Sequence, residues 1–250
     1  MTPSTRIAVL ACAGLVSAHA QTPHKDPDEG TLSSVRPRIP EPMVFDLIRP
    51  LGAQRGEFEV NSLFRISPFA GSGRRSLYWA PEVEYAFAKG YGLEFEVPLA
   101  NQHIDSWKGA IQGTLPGPAP RVFIHGWQAI GEVNSQNRSE HDISLLYLAG
   151  ARWHPRWSVF SMTGAARETR SATSYAFLGN YSLFYHQSRT VTYGLETNWK
   201  GPGQTGRSTL LMPQLQLRKT RLNLQLGAGW RKQSGSPGAL QLGWRLSREF

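Results

Sequence analysis

The last thirteen residues, G-A-L-Q-L-G-W-R-L-S-R-E-F, alternate in polarity up to a terminal aromatic, Phe250. Leu240, Leu242, Trp244 and Leu246 share one face, continued by Arg248 and Phe250, while Gln241, Gly243, Arg245 and Ser247 share the other. A period of two is a strand, and a carboxy-terminal strand closing on an aromatic looks like the final strand of a bacterial outer-membrane β-barrel. There the alternation means lipid outside and a polar lumen inside. Such a strand would also be the signal that barrel-assembly machinery reads.

The other end of the chain is compatible. Residues 1–20 combine one cation, Arg6, an apolar stretch from Ile7 to Val16 and the sequence Ala18-His19-Ala20. They read as a secretory signal cleaved after Ala20, too short for a spanning helix. The one cysteine, Cys12, lies inside it, so the mature chain offers no disulfide or thiolate metal site. No other window is long and apolar enough for a transmembrane helix, but barrel strands are only half apolar and escape that test. The formal charge of +9 would suggest nucleic acid in a cytosolic chain. Export removes that partner and leaves lipid phosphates, while eight Trp and eight Tyr suit interfacial girdles.

Residues 21–55 are rich in proline and charge without a sustained period, and read as a periplasmic arm or a plug. From residue 56 to 250, alternating segments separated by turn chemistry give strands at 56–67, 76–87, 91–99, 106–115, 121–132, 141–153, 157–167, 174–185, 189–199, 209–218, 221–231 and 238–250. The expected fold is all-β: a transmembrane antiparallel up-and-down barrel of about twelve strands. Weak alternation in the fourth, seventh and eighth leaves ten or fourteen open. Connections after the second, sixth, eighth and tenth strands are tight, whereas those after the first, fifth, seventh, ninth and eleventh are longer, as expected for periplasmic turns and external loops.

The run W-A-P-E-V-E-Y-A-F-A-K-G-Y-G-L-E-F-E-V-P-L from Trp79 to Leu99, with R-G-E-F-E-V-N from Arg55 to Asn61, resembles the early strands of the family named after the MetA pathway of phenol degradation. The resemblance implies an outer-membrane barrel with a transport-like role, in some members toward aromatic compounds, and carries over no catalytic residue.

A turn centred at Lys89 sets Glu84 opposite Glu94 and Glu82 opposite Glu96. With Glu57 and Glu59 of the first strand they form an acidic wall facing the lumen. Opposed carboxylates repel, so the wall needs cations: a conducting pore or weak divalent site supplies mobile ones, or Arg65 and Arg245 neutralise it. Arg74, Arg75, Arg138, Arg167, Arg170, Lys200, Arg207 and Lys232, assigned to external loops, are candidate contacts for lipopolysaccharide phosphates. His186-Gln187-Ser188 has the spacing of a lipid-deacylase pair, but sits in a tight periplasmic turn without its flanking asparagine. His125 reads as a lumen or interface histidine. No metal motif or cofactor loop is present. The expected function is passive transport of a small solute, aromatic or otherwise hydrophobic, through the outer membrane without catalysis. The alternatives are a closed structural or lipopolysaccharide-interacting barrel, and an outer-membrane lipid hydrolase.

Overall fold

In lipid every backbone N–H and C=O must find a partner within the protein, which leaves a sheet only one solution: to close on itself. The computed structural model describes residues 37–45, 48–68, 76–117, 119–170, 172–204 and 206–250. The leader, Cys12, residues 21–36, Arg74 and Arg75 lie outside them.

Twelve long strands follow one another around the ring. They are β1 (Phe58–Ser67), β2 (Ser76–Ala88), β3 (Tyr91–Glu96), β4 (Ser106–Leu115), β5 (Phe123–Asn134), β6 (His141–His154), β7 (Trp157–Thr169), β8 (Thr173–His186), β9 (Val191–Gly201), β10 (Ser208–Lys219), β11 (Leu222–Gln233) and β12 (Ala239–Glu249). Each pairs antiparallel with its chain neighbours, and β1 closes the barrel by pairing with both β2 and β12. The third predicted strand is shorter than expected. The β2 ladder breaks opposite Pro81, Val97 and Pro98 and resumes at Leu99–Ala100, which pair with His103–Ile104 across a turn with positive φ at Asn101 and Gln102. Prolines cannot donate to a ladder, so pairing lapses where they stand while the register is kept; the register shift of this pair lies nearer the turn, between Tyr85 and Ala88.

One expected loop length is corrected: only residues 170–172 separate β7 from β8. At the opposite end the longest connection is 116–122, after β4. The remaining connections at that end are short: 89–90, 155–156, 187–190 and 220–221. We refer to it as the turn end, which by the usual asymmetry of such barrels faces the periplasm.

The outer face carries the exposed apolar side chains, among them Leu93, Leu145, Leu183, Leu211, Leu226 and Leu246. At the closing seam, Phe64 of β1 stacks between Trp79 of β2 and Trp244 of β12, with centroids 5.5 and 5.2 Å away and planes within 6° and 11°. This ladder spans both partners of the strand that shuts the ring. Phe64→Ala removes two aromatic pairs worth roughly 0.5–1.5 kcal/mol each. It should lower the unfolding free energy of the refolded barrel in urea by about 1–3 kcal/mol, and an unchanged midpoint would rule out a role for the stack in holding the seam.

Candidate functional site

Inward-facing residues of β1 to β4 build an ionic wall. Glu84 stands opposite Glu94 and Glu82 opposite Glu96 across the β2–β3 ladder, and Glu59 stands opposite Glu84 across β1–β2. All five carboxylates are buried, while Glu57, at the turn end, is more open. The oxygens of Glu82, Glu94 and Glu96 lie within 4.8 Å of one another, close enough to hold a cation. The protein provides its own. Lys108 of β4 bonds Glu96 and lies 3.0 Å from Glu94, and Arg245 of β12 lies 3.3 Å from Glu82. Arg49, from the segment before β1, bonds Glu59 and reaches Glu57 at 3.2 Å, Glu84 at 3.8 Å and Glu249 at 3.8 Å. Two of these three cations, Lys108 and Arg49, were missed in the sequence. Lys108 was legible, because its parity on β4 matches that of Gln112, which also faces inward.

Arg65 is a correction. It faces the lumen, but its guanidinium packs over the Tyr78 ring at 3.8 Å, and among the described residues it makes no ion pair with the wall. The cause is height: Arg65 stands opposite Gly243, two residues along β12 from Arg245, toward the loop end.

Register extends the wall into a diagonal. Successive cross-strand neighbours from β1 to β7 are Asn61, Glu82, Glu96, Lys108, Glu132, Asp142 and Glu168, a continuous polar row climbing to the loop end. The next row down begins Glu59, Glu84, Glu94 and then turns apolar with Ala110 and Ile130. Beyond it, on β6 to β8, much of the lumen wall is apolar. Leu146 and Leu148 of β6, Phe160 and Met162 of β7, and Leu178 and Phe184 of β8 point inward and form one buried cluster. The expectation of a wholly polar lumen is thereby overturned, and these residues explain the weak alternation of β7 and β8: both of their faces are apolar.

What covers that cluster is the segment before β1. Residues 37–45 enter from the turn end, where the Arg38 carbonyl accepts from Arg152, and residues 48–54 return there, where Gly52 donates to Thr114. Ile39, Phe45 and Leu51 pack on the apolar cluster. At the tip, Glu196 of β9 accepts three successive backbone N–H groups, those of Met43 (2.8 Å), Val44 (3.1 Å) and Phe45 (3.1 Å). Side-chain amides of Asn180, Asn198 and Gln214 donate to the same carboxylate. An anion surrounded by oriented N–H donors needs no counter-cation. Gln112 donates to the Arg49 carbonyl, Gln216 to that of Glu41 and Arg245 to that of Pro42.

The other expected residues divide by location. Arg138, Arg170 and Arg207 are exposed in loop-end connections. Arg167 and Lys232 instead belong to strands, on the outer face at the loop-end rim, since Arg167 stands beside outward Ile143 and Tyr175. Lys200 is not in a loop: it faces the lumen from β9 and bonds Glu168. His186 pairs with the buried Ser158 at 2.9 Å rather than with Ser188, whose hydroxyl accepts from the Thr190 and Val191 amides within its turn. His125 faces outward and meets the Tyr147 hydroxyl at 2.9 Å.

With this geometry in view, known structures can be compared. A KdgM porin superposes with a TM-score of 0.56 at 16% identity over 75% of this chain and 97% of that one. The same porin in complex with disordered oligogalacturonate gives 0.57 at 13% identity, over 75% and 97%. An outer-membrane channel from Pseudomonas putida F1 gives 0.56 at 12% identity, over 80% and 98%. The chain has the fold of these outer-membrane barrels. No protein-family model and no curated protein matches it in sequence.

Two measurements test the site. Lys108→Met strands Glu94 and Glu96 and should cost about 3–5 kcal/mol, the range for breaking one side of a buried pair. Arg65→Gln, which breaks no ion pair among the described residues, should stay within about 1 kcal/mol in the same unfolding assay. The second uses Glu41. Burial, aided by Glu59 and opposed by Arg245 and Arg49, raises its carboxyl from 4.5 to about 7. The docked arm therefore holds a proton that the free arm loses near 4.5, and docking weakens as pH rises between those values. Hydrogen-exchange protection of the Met43, Val44 and Phe45 amides should fall from pH 5 to pH 7 and level off above. In Glu41→Gln the fall should disappear.

Proposed function

We propose that this barrel is a passive channel of the bacterial outer membrane for small amphipathic solutes, aromatic ones included, and that residues 37–54 set its constriction. The observation that carries this reading is the divided lumen. Water-filled barrels have polar interiors, whereas this one sets an ionic wall on β1–β4 against an apolar wall on β6–β8. A solute with one apolar face and one polar edge matches both walls. The likeness of the Trp79–Leu99 hairpin to the MetA-pathway family supports the same class of cargo. The neighbour solved with oligogalacturonate is a guide to fold and not to cargo, because a polyanion here would meet Glu132, Asp142 and Glu168 along the diagonal.

A second reading, a lumen closed at rest, is favoured by the contacts that hold the arm tip at Glu196. Liposome swelling with the refolded mature protein separates the two. The channel reading expects benzyl alcohol derivatives and small aromatic amines to enter faster than a sugar of equal mass. Equal, background-level rates for all of them would leave a closed barrel. Outside the lumen, the exposed Arg138, Arg167, Arg170, Arg207 and Lys232 are the groups we assign to lipopolysaccharide phosphates, and the β12 strand ending at Phe250 is the segment we assign to barrel-assembly machinery.

A further inference from the structure

The turn end carries a pattern that the lumen does not use. Each of its five connections contains a cation: Lys89 in 89–90, Arg121 in 116–122, Arg156 in 155–156, Arg189 in 187–190 and Arg221 in 220–221. None of the five contains an aspartate or glutamate. Arg55, just before β1, and Arg248, on the outer face of β12, close the ring at the seam. All seven side chains are exposed, and among the described residues none makes an ion pair. Arg156 has only the Tyr185 hydroxyl at 3.4 Å, and Arg248 lies over the Phe250 ring at 5.0 Å. The nearby carboxylates of Glu57 and Glu249 turn inward to Arg49. The loop end is different: Arg138 shares its loop with Glu140, and Asp105 stands in the β3–β4 connection.

Depth says what this ring meets. Immediately inside it, exposed on the outer face, lie Phe58, Phe87, Tyr91, Trp157 and Phe250, with Tyr185 half-buried against Trp157. Tyr and Trp at the end of a spanning surface mark the level where hydrocarbon gives way to headgroups. Side chains one step beyond stand at the phosphates, and unpaired Lys and Arg there are attracted to negatively charged lipid. The spacing of one cation per hairpin spreads the charge around the circumference, as a lipid annulus requires and a single protein docking patch does not.

We propose that the turn-end ring of Lys89, Arg121, Arg156, Arg189 and Arg221, closed by Arg55 and Arg248, binds the headgroups of anionic glycerophospholipids in the periplasmic leaflet. The ring selects an annulus of such lipid around this end of the barrel and fixes how deeply it sits. This holds whether or not the lumen conducts.

The test reconstitutes the full mature chain in phosphatidylcholine membranes doped with spin-labelled phosphatidylglycerol or phosphatidylcholine. The motionally restricted fraction of each label is then measured. The expected result is a preference of at least about threefold for phosphatidylglycerol, reduced in 0.5 M salt because exposed charges are screened. Replacing the five turn cations by Gln should bring the preference close to one. Arg65→Gln, in the lumen and out of reach of lipid, should leave it unchanged. No preference in the wild type, a preference that survives the five substitutions, or one abolished by Arg65→Gln would each overturn the proposal. The salt series on the wild type stands independently of whether the five-fold variant refolds.

Discussion

Five glutamates buried on one wall of a lumen are the constraint from which much else in this barrel follows. Opposed carboxylates removed from water cannot remain charged unless cations reach them. The strands alone supply Lys108 and Arg245, which serve Glu82, Glu94 and Glu96. Glu59 and Glu84 depend on Arg49, and Arg49 is not on a strand. The segment before β1 must therefore lie inside the ring, and once there it needs an apolar surface for Ile39, Phe45 and Leu51 and acceptors for its own amides. The cluster on β6–β8 and the carboxylate of Glu196 meet those needs. Ionic wall, apolar wall and arm form one interdependent arrangement.

The legible and the hidden parts of the fold differ for a physical reason. Side chains that meet lipid obey a strict period of two, so the outer face of β2, β3 and β12 could be read directly. The opposition of Glu84 to Glu94 follows from a turn centred on Lys89, and the strands reach that register through a one-residue shift between Tyr85 and Ala88, without which the two-residue turn would set Glu84 against Phe95. Inward positions obey no such rule once something other than water fills the lumen. Phe160, Met162, Leu178 and Phe184 blurred the alternation of β7 and β8 because the arm, not solvent, is their neighbour. The arm itself has no periodicity, since its backbone bonds to side chains such as Glu196 and Gln112 and not to a ladder. Lys200 was misplaced by a boundary drawn two residues short, at 199 instead of Gly201, which turned a lumen cation into a loop cation.

The diagonal from Asn61 to Glu168 is a consequence of strand tilt that no single strand records. Neighbouring residues along the hydrogen-bonding direction step from one strand to the next, and because the strands of a barrel lean, such a line also climbs. Charges as far apart in sequence as Glu82 and Glu168 thus belong to one row, with Lys108 interrupting the carboxylates.

Arg245 joins three parts of the chain that are distant in sequence: it lies on the last strand, donates to the Pro42 carbonyl in the arm and meets Glu82 on the second strand. Those contacts straddle the junction at which β12 finds β1. The interior segment is threaded on the same side of the junction as both of its partners, so the ring that closes around it also encloses it. One guanidinium thus belongs at once to the seam of the ring and to what fills it, so whatever loosens the last strand from the first also loosens the arm inside.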